Sequence, residues 1–147
     1  MSQYSNLDWQ YPGLSDVGAY QVSGVPFVSA ALTVPAPGNA PLRISFPYVT
    51  KFVTIQNTAN GLTRTLRVGF SSNAVTSSAA SGMNYFVLDN GESYTGEWRI
   101  EDIYLLSSTA GSQTSASIIA GLTNIPRGIP ALGASSGNNW SGSSGVG

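Results

Sequence analysis

The sequence predicts an all-β fold, an antiparallel β-sandwich of about eight strands with jelly-roll or Greek-key connections. Three observations lead there. Short apolar runs alternate with turn-forming residues from about residue 20 to residue 125. No stretch carries a helical period of three turns with a capping box. Hydrophobic residues make up 41% of the chain and charged residues only 9%, the reverse of a disordered composition.

A length of 147 residues sets the scale at one domain. Composition divides it into an N-terminal arm (1–19), a sandwich (20–125) and an extended or disordered Gly/Ser-rich tail (126–147). The strands follow in order. Tyr20 to Ala31 is rich in Val and Phe, and Pro26, which cannot donate to a ladder, marks an edge or a bulge. Leu42, Ile44 and Phe46 alternate onto one face. Val49 to Asn57 places Val49, Lys51, Val53 and Ile55 together, and Asn60-Gly61 then reads as a hairpin turn into Leu62–Phe70. In that return, Leu66, Val68 and Phe70 point inward. Ala74–Ala80 is the one weak helical candidate, good for a single turn.

Met83 to Asp89 forms the next strand, and Asp89-Asn-Gly91 turns the chain. Glu92–Arg99 and Ile100–Ser107 follow with little punctuation between them. Both faces of Tyr104–Leu106 are apolar, which predicts a central strand covered on both sides. Thr114 to Leu122 closes the series, with Ala116, Ile118 and Ala120 on one face.

The residue inventory excludes much chemistry. Without histidine the chain lacks the usual base near neutral pH, and without cysteine it lacks thiolates. Ser-His-Asp and Cys-His arrangements and ordinary zinc sites are therefore ruled out. Of the seven carboxylates, Glu97 and Glu101 would share a strand face but stand about 13 Å apart by strand rise. Asp89 and Glu92 flank a turn and read as its chemistry, without the dense oxygen pattern of a calcium loop. The expectation is no enzyme, no metal and no cofactor. Gly91 to Gly96 lacks the helix and lysine of a phosphate cradle, and Asn139-Trp-Ser141 is a glycosylation pattern expected to be fortuitous.

Six basic residues, scattered along the chain, are too few for a nucleic-acid surface. No run approaches the roughly 18 apolar residues of a membrane helix, and the start lacks the pattern of a secretion signal. A low-charge exterior has little repulsion to keep copies apart, which predicts a homo-oligomer or other assembly.

The aromatic arm and the segment after the sandwich supply interface candidates: Tyr4, Trp9, Tyr11, Leu14, Ile125, Ile129, Leu132 and Trp140. Among the aromatics of the second half, Tyr94 and Trp98 are the candidates for stacking on a glycan; the competing reading is that they fill the core.

The runs Phe52-Val-Thr-Ile-Gln-Asn-Thr, Leu66-Arg-Val-Gly-Phe-Ser, Asn84-Tyr-Phe-Val-Leu-Asp-Asn-Gly-Glu-Ser and Ile103-Tyr-Leu-Leu-Ser-Ser resemble small β-sandwich proteins of virus and phage particles. The resemblance covers about residues 48–121 and consists of β-turn grammar. It implies a capsid-associated role (minor capsid, decoration, fibre or vertex subunit) with no catalytic residues to carry over. The implied partners are other particle proteins, and the implied location is the virion, assembled in the host cytoplasm. The alternative is a carbohydrate- or receptor-binding module of a virion.

Overall fold

The computed structural model describes residues 24–59, 63–76 and 83–128. They form eight strands and one short helix: β1 Val25–Val34, β2 Leu42–Ser45, β3 Tyr48–Asn57, β4 Leu66–Gly69, α1 Ser72–Thr76, β5 Phe86–Leu88, β6 Ser93–Gly96, β7 Asp102–Ser107 and β8 Thr114–Pro126. Two four-stranded antiparallel sheets result, ordered β1-β8-β3-β6 and β2-β7-β4-β5. Strand 1 pairs with 8, 2 with 7, 3 with 6 and 4 with 5, and successive pairs fall in alternate sheets. This is one long hairpin rolled up on itself, the double Greek key of a jelly roll.

The core lies between the sheets. Inward rows are read directly from the register: Phe27, Ala120, Val53 and Gly96 across one sheet, and Leu42, Leu105, Val68 and Phe86 across the other. Val53, Ile55, Leu66, Val68, Ile103, Leu105 and Ile118 are fully buried there. Burying each such side chain stabilises the fold by roughly 1.5–3 kcal/mol. Aromatic pairs close the two open sides. Phe27 meets Phe46 edge-on at 5.2 Å between the β1 and β2 edges. A larger group closes the side between the β5 and β6 edges.

Two polar clasps hold the ends of the roll. At one pole the buried Asn57 side chain donates to the carbonyls of Arg64 (2.7 Å) and Leu88 (3.0 Å) and accepts from Ala59 N and Thr114 Oγ1. Its backbone pairs with Glu92 and Gly91. At the other pole Arg127 donates to the carbonyls of Phe46 and Glu101. Burying a polar side chain is tolerated only when its hydrogen bonds are made, and both clasps meet that condition.

Several expectations are corrected. β3 and β4 lie in different sheets, so the segment around Asn60-Gly61 crosses between sheets and is no hairpin; residues 60–62 themselves lie outside the described residues. The strict alternation expected from Val49 fails because register shifts between Tyr48 and Phe52 bury both Val49 and Thr50. Thr50 is accommodated by donating to the Trp98 carbonyl. The strand expected over Glu92–Arg99 is only Ser93–Gly96, and residues 97–101 form an irregular link. Glu97 is therefore exposed while Glu101 is buried, and the two do not share a strand face.

Other expectations stand. Every residue of β7 is buried: its inner face joins the core, and Tyr104 and Leu106 pack outward against Val75 and Tyr85. Pro26 lies on β1, an edge strand. The Asp89 N–H donates to Glu92 Oε2 at 2.9 Å, so those acids do serve their turn.

Candidate functional site

Three regions carry side-chain chemistry or an unpartnered surface. The first is the aromatic group between the edge strands. Tyr94 is inward on β6, opposite Ile55, but β6 is an edge, so its ring reaches the rim and stays 48% exposed. Its ring stacks on Trp98 at 5.6 Å and 16°. Trp98 is half-buried and meets Phe70 edge-on at 4.9 Å, and Phe86 lies 5.2 Å from Tyr94. The indole occupies the space above Gly96, where an added Cβ would fall 2.2 Å from a ring atom. The absence of a side chain at Gly96 is thus what lets Trp98 lie flat. A hollow of about 200 Å³ beside it is lined by Lys51, Glu97, Trp98 and Arg99. The structure thereby brings the two glycan candidates together, as a lid on the core with one exposed member.

The second region is ionic. The Asp102 side chain, with no exposure, accepts from Arg43 Nε (3.2 Å) and Nη2 (2.9 Å), from Ser45 Oγ (2.8 Å) and from Arg127 Nη2 (3.2 Å). Glu101, next to it, accepts from the Gly128 N–H and lies 3.9 Å from Arg127. Burial alone would push the Asp102 carboxyl up; hydrogen bonds from Arg43 and Ser45 and the charge of Arg127 outweigh it and hold the group below its ordinary value. Both acids are committed to arginines. Among the described residues no three acidic, histidine or cysteine side chains gather where they could hold a metal.

The third region is the outer face of the β1-β8-β3-β6 sheet. The register sets out three rows: Pro26, Gly121 and Phe52; Val28, Ile119, Thr54 and Thr95; and Ser117, Gln56 and Ser93. None of these ten side chains is charged. Val28 is 65% exposed and Ile119 49%. Thr54 and Thr95 are tied to each other by a 2.8 Å hydroxyl bond.

Of the sequence-derived interface candidates, Ile125 is corrected. It is fully buried on β8, which runs to Pro126, so it is a core residue of this chain. Arg127 and Gly128 continue past the strand, Arg127 held by Asp102 and the Gly128 N–H by Glu101. Tyr4, Trp9, Tyr11, Leu14, Ile129, Leu132 and Trp140 lie outside the described residues. Sequence reasoning missed the Val28–Ile119 row. Its signal was present, an apolar pair on both parities of Thr114–Leu122, but only the structure shows that Ile119 is 49% exposed with no cover among the described residues.

No protein-family model matches this chain, and no curated protein is detectably similar to it in sequence.

Proposed function

We propose that the chain is a non-enzymatic structural subunit of a virus or phage particle, a minor capsid, decoration, or vertex/fibre component that acts through protein-protein contacts. The observation that carries this reading is the rolled eight-stranded topology with one uncharged outer face. Jelly rolls of this kind serve as viral shell subunits, and also as lectins and cupins. Fold alone does not choose among them. Cupin-like metal chemistry is disfavoured because histidine and cysteine are absent from the sequence and the buried acids are engaged by arginines. A sheet face without charged side chains in its outward rows suits contact with other subunits, where aliphatic and hydroxyl groups are desolvated at lower cost than charges.

Electron microscopy of particles purified from cells that produce the chain is the direct test. The expected result is a β-sandwich density of this size at stoichiometric occupancy. Absence of the chain from purified particles, with all of it in the free soluble fraction, would sink the reading.

One observation favours a second reading, a glycan-binding module on such a particle. Tyr94 and Trp98 stack beside a hollow bordered by acidic and basic side chains, a combination suited to sugar rings and hydroxyls. Titration with neutral and acidic oligosaccharides, read by tryptophan fluorescence, should then show saturable quenching that Tyr94→Ala abolishes. An unresponsive Trp98 removes this reading and leaves the first intact.

A further inference from the structure

We infer that Asn90-Gly91 is a site of spontaneous covalent modification, through a succinimide to aspartate or isoaspartate, and that the Asn57 clasp gates its rate.

The chemistry follows from the residue pair. The Gly91 backbone nitrogen, once its proton has passed to hydroxide, can attack Asn90 Cγ. A bond from that nitrogen to Cγ forms, the Cγ–Nδ2 bond breaks, and the side-chain nitrogen leaves as ammonia. Water then opens the five-membered imide at either carbonyl. Attack at Cγ leaves aspartate at position 90. Attack at the main-chain carbonyl leaves an isoaspartyl link that runs through the side chain. The sum is one water consumed and one ammonia released, with no oxidant or reductant. Glycine hinders the attack least, because it carries no side chain. Asn90 is exposed, so hydroxide and water reach it and ammonia departs freely.

The fold holds this reaction back in two ways. Gly91 has a φ of +81° and Asn90 a negative one, and the Glu92 N–H donates to the Asp89 carbonyl at 3.0 Å. These are the marks of a type II turn. Its geometry turns the Gly91 nitrogen away from Asn90 Cβ, whereas ring closure requires the two to be eclipsed. The nucleophile is also engaged. The Gly91 N–H donates to the Asn57 carbonyl at 3.0 Å, and the Asn57 N–H donates to the Glu92 carbonyl at 2.9 Å. Asn57 is itself buried and fixed by its side-chain bonds to Arg64, Leu88, Ala59 and Thr114. The turn therefore reaches the reactive geometry only when the clasp lets go.

Three backbone bonds close this gate. Each is worth about a factor of five in net terms, so closure slows the reaction roughly a hundredfold. The isoaspartyl product adds a chain carbon and a negative charge beside Asp89 and Glu92. Gly91 and Glu92 then no longer meet Asn57 in register, so modification holds this pole of the roll open. The inference concerns the isolated chain and stands apart from any role in a particle.

The experiment ages the full chain at mildly alkaline pH, folded and in guanidinium chloride, with circular dichroism to confirm folding. Trypsin releases Val68–Arg99, in which mass spectrometry locates the amide-to-acid mass gain and chromatography separates the isoaspartyl form. Asn90 should convert in the denatured chain and roughly a hundredfold more slowly in the folded one. Thr114→Val, which removes a donor to Asn57 Oδ1, should speed conversion in the folded chain about fivefold. Glu92→Ala, at an exposed position whose carboxylate accepts from the Asp89 N–H, should also speed it and tests the gate if Thr114→Val does not fold. Ser45→Ala removes a hydroxyl bond to Asp102 at the other clasp and should leave the rate unchanged. Equal rates in the folded and denatured chains, or no conversion at Asn90 in the denatured one, would overturn the proposal. So would a folded Glu92→Ala chain that converts no faster, or an equal acceleration by Ser45→Ala.

Discussion

The two outer faces of this sandwich solve the same problem differently. Each sheet must do something with the side chains that point away from the core. On the β2-β7-β4-β5 sheet the outward residues include Arg43, Arg67, Tyr104, Leu106 and Asp102. Gly69 leaves room for α1, since a Cβ there would meet Val75 at 2.7 Å. Arg67 then fastens the cover by donating to the Val75 carbonyl and lying 4.7 Å over the Tyr85 ring. The charges on this face are used internally. On the β1-β8-β3-β6 sheet the outward residues are uncharged, mostly small, apolar or hydroxylic with the amide of Gln56 among them, and none of them fastens a cover among the described residues. One face is covered within the fold; the other has no cover among the described residues.

Substitutions should separate the two faces by the size of their effect on unfolding free energy. Leu106→Ala, beneath α1, should cost about 2–5 kcal/mol in urea denaturation, as a buried leucine truncation does. A cost under 1 kcal/mol would mean that the helix is not a true second layer. Asp102→Ala should cost about 2–3 kcal/mol, less than a wholly buried pair because both arginines reach solvent.

The same carboxylate gives the charged face a pH dependence. Its folded value is depressed, so its stabilisation is fully present above the ordinary unfolded value of about 3.9. It is lost as pH falls through the lower folded value. Asp102→Asn should therefore flatten the acid limb of a stability-versus-pH curve; an unchanged limb would assign acid unfolding to other groups. Smallest of all, Ile119→Ser on the bare face should alter sandwich stability by no more than about 0.5 kcal/mol. A large loss there would show that this face is already part of the fold's own packing.

Elements were easier to read than partners. Alternation located the inward residues of β4 correctly and grouped Ala116, Ile118 and Ala120 of β8 on one face, because the period of a strand is two. The doubly apolar Tyr104–Leu106 announced a strand covered on both sides, and β7 is one. Pairing was not legible. Asn60-Gly61 carries a strong local turn preference, yet long-range pairing of β3 with β8 and β6 decides the connection. Local preference is worth a few tenths to about 1 kcal/mol, whereas burial of whole strand faces is worth many times more.

The sites followed the same rule. Tyr94 and Trp98 could be named from composition, but their stacking depends on Gly96 having no side chain. Asp102 looked like any acid beside another. Its partners Arg43 and Arg127 are 59 and 25 residues away, and no local pattern announces an ion pair closed by topology. Ile125 resembled the start of a tail because a proline follows it, yet Pro126 still ends β8.

The pairing of the first strand with the last has a practical consequence for engineering. Val25 sits opposite Leu122, so the chain enters and leaves the roll at one pole. The turn at Thr109–Ser112, closed by a single backbone bond and carrying the exposed Gly111, lies at the other. β8, thirteen residues long, separates the two by about 40 Å. A peptide inserted between Ala110 and Gly111 would be displayed at the end of the roll remote from Val25 and Leu122.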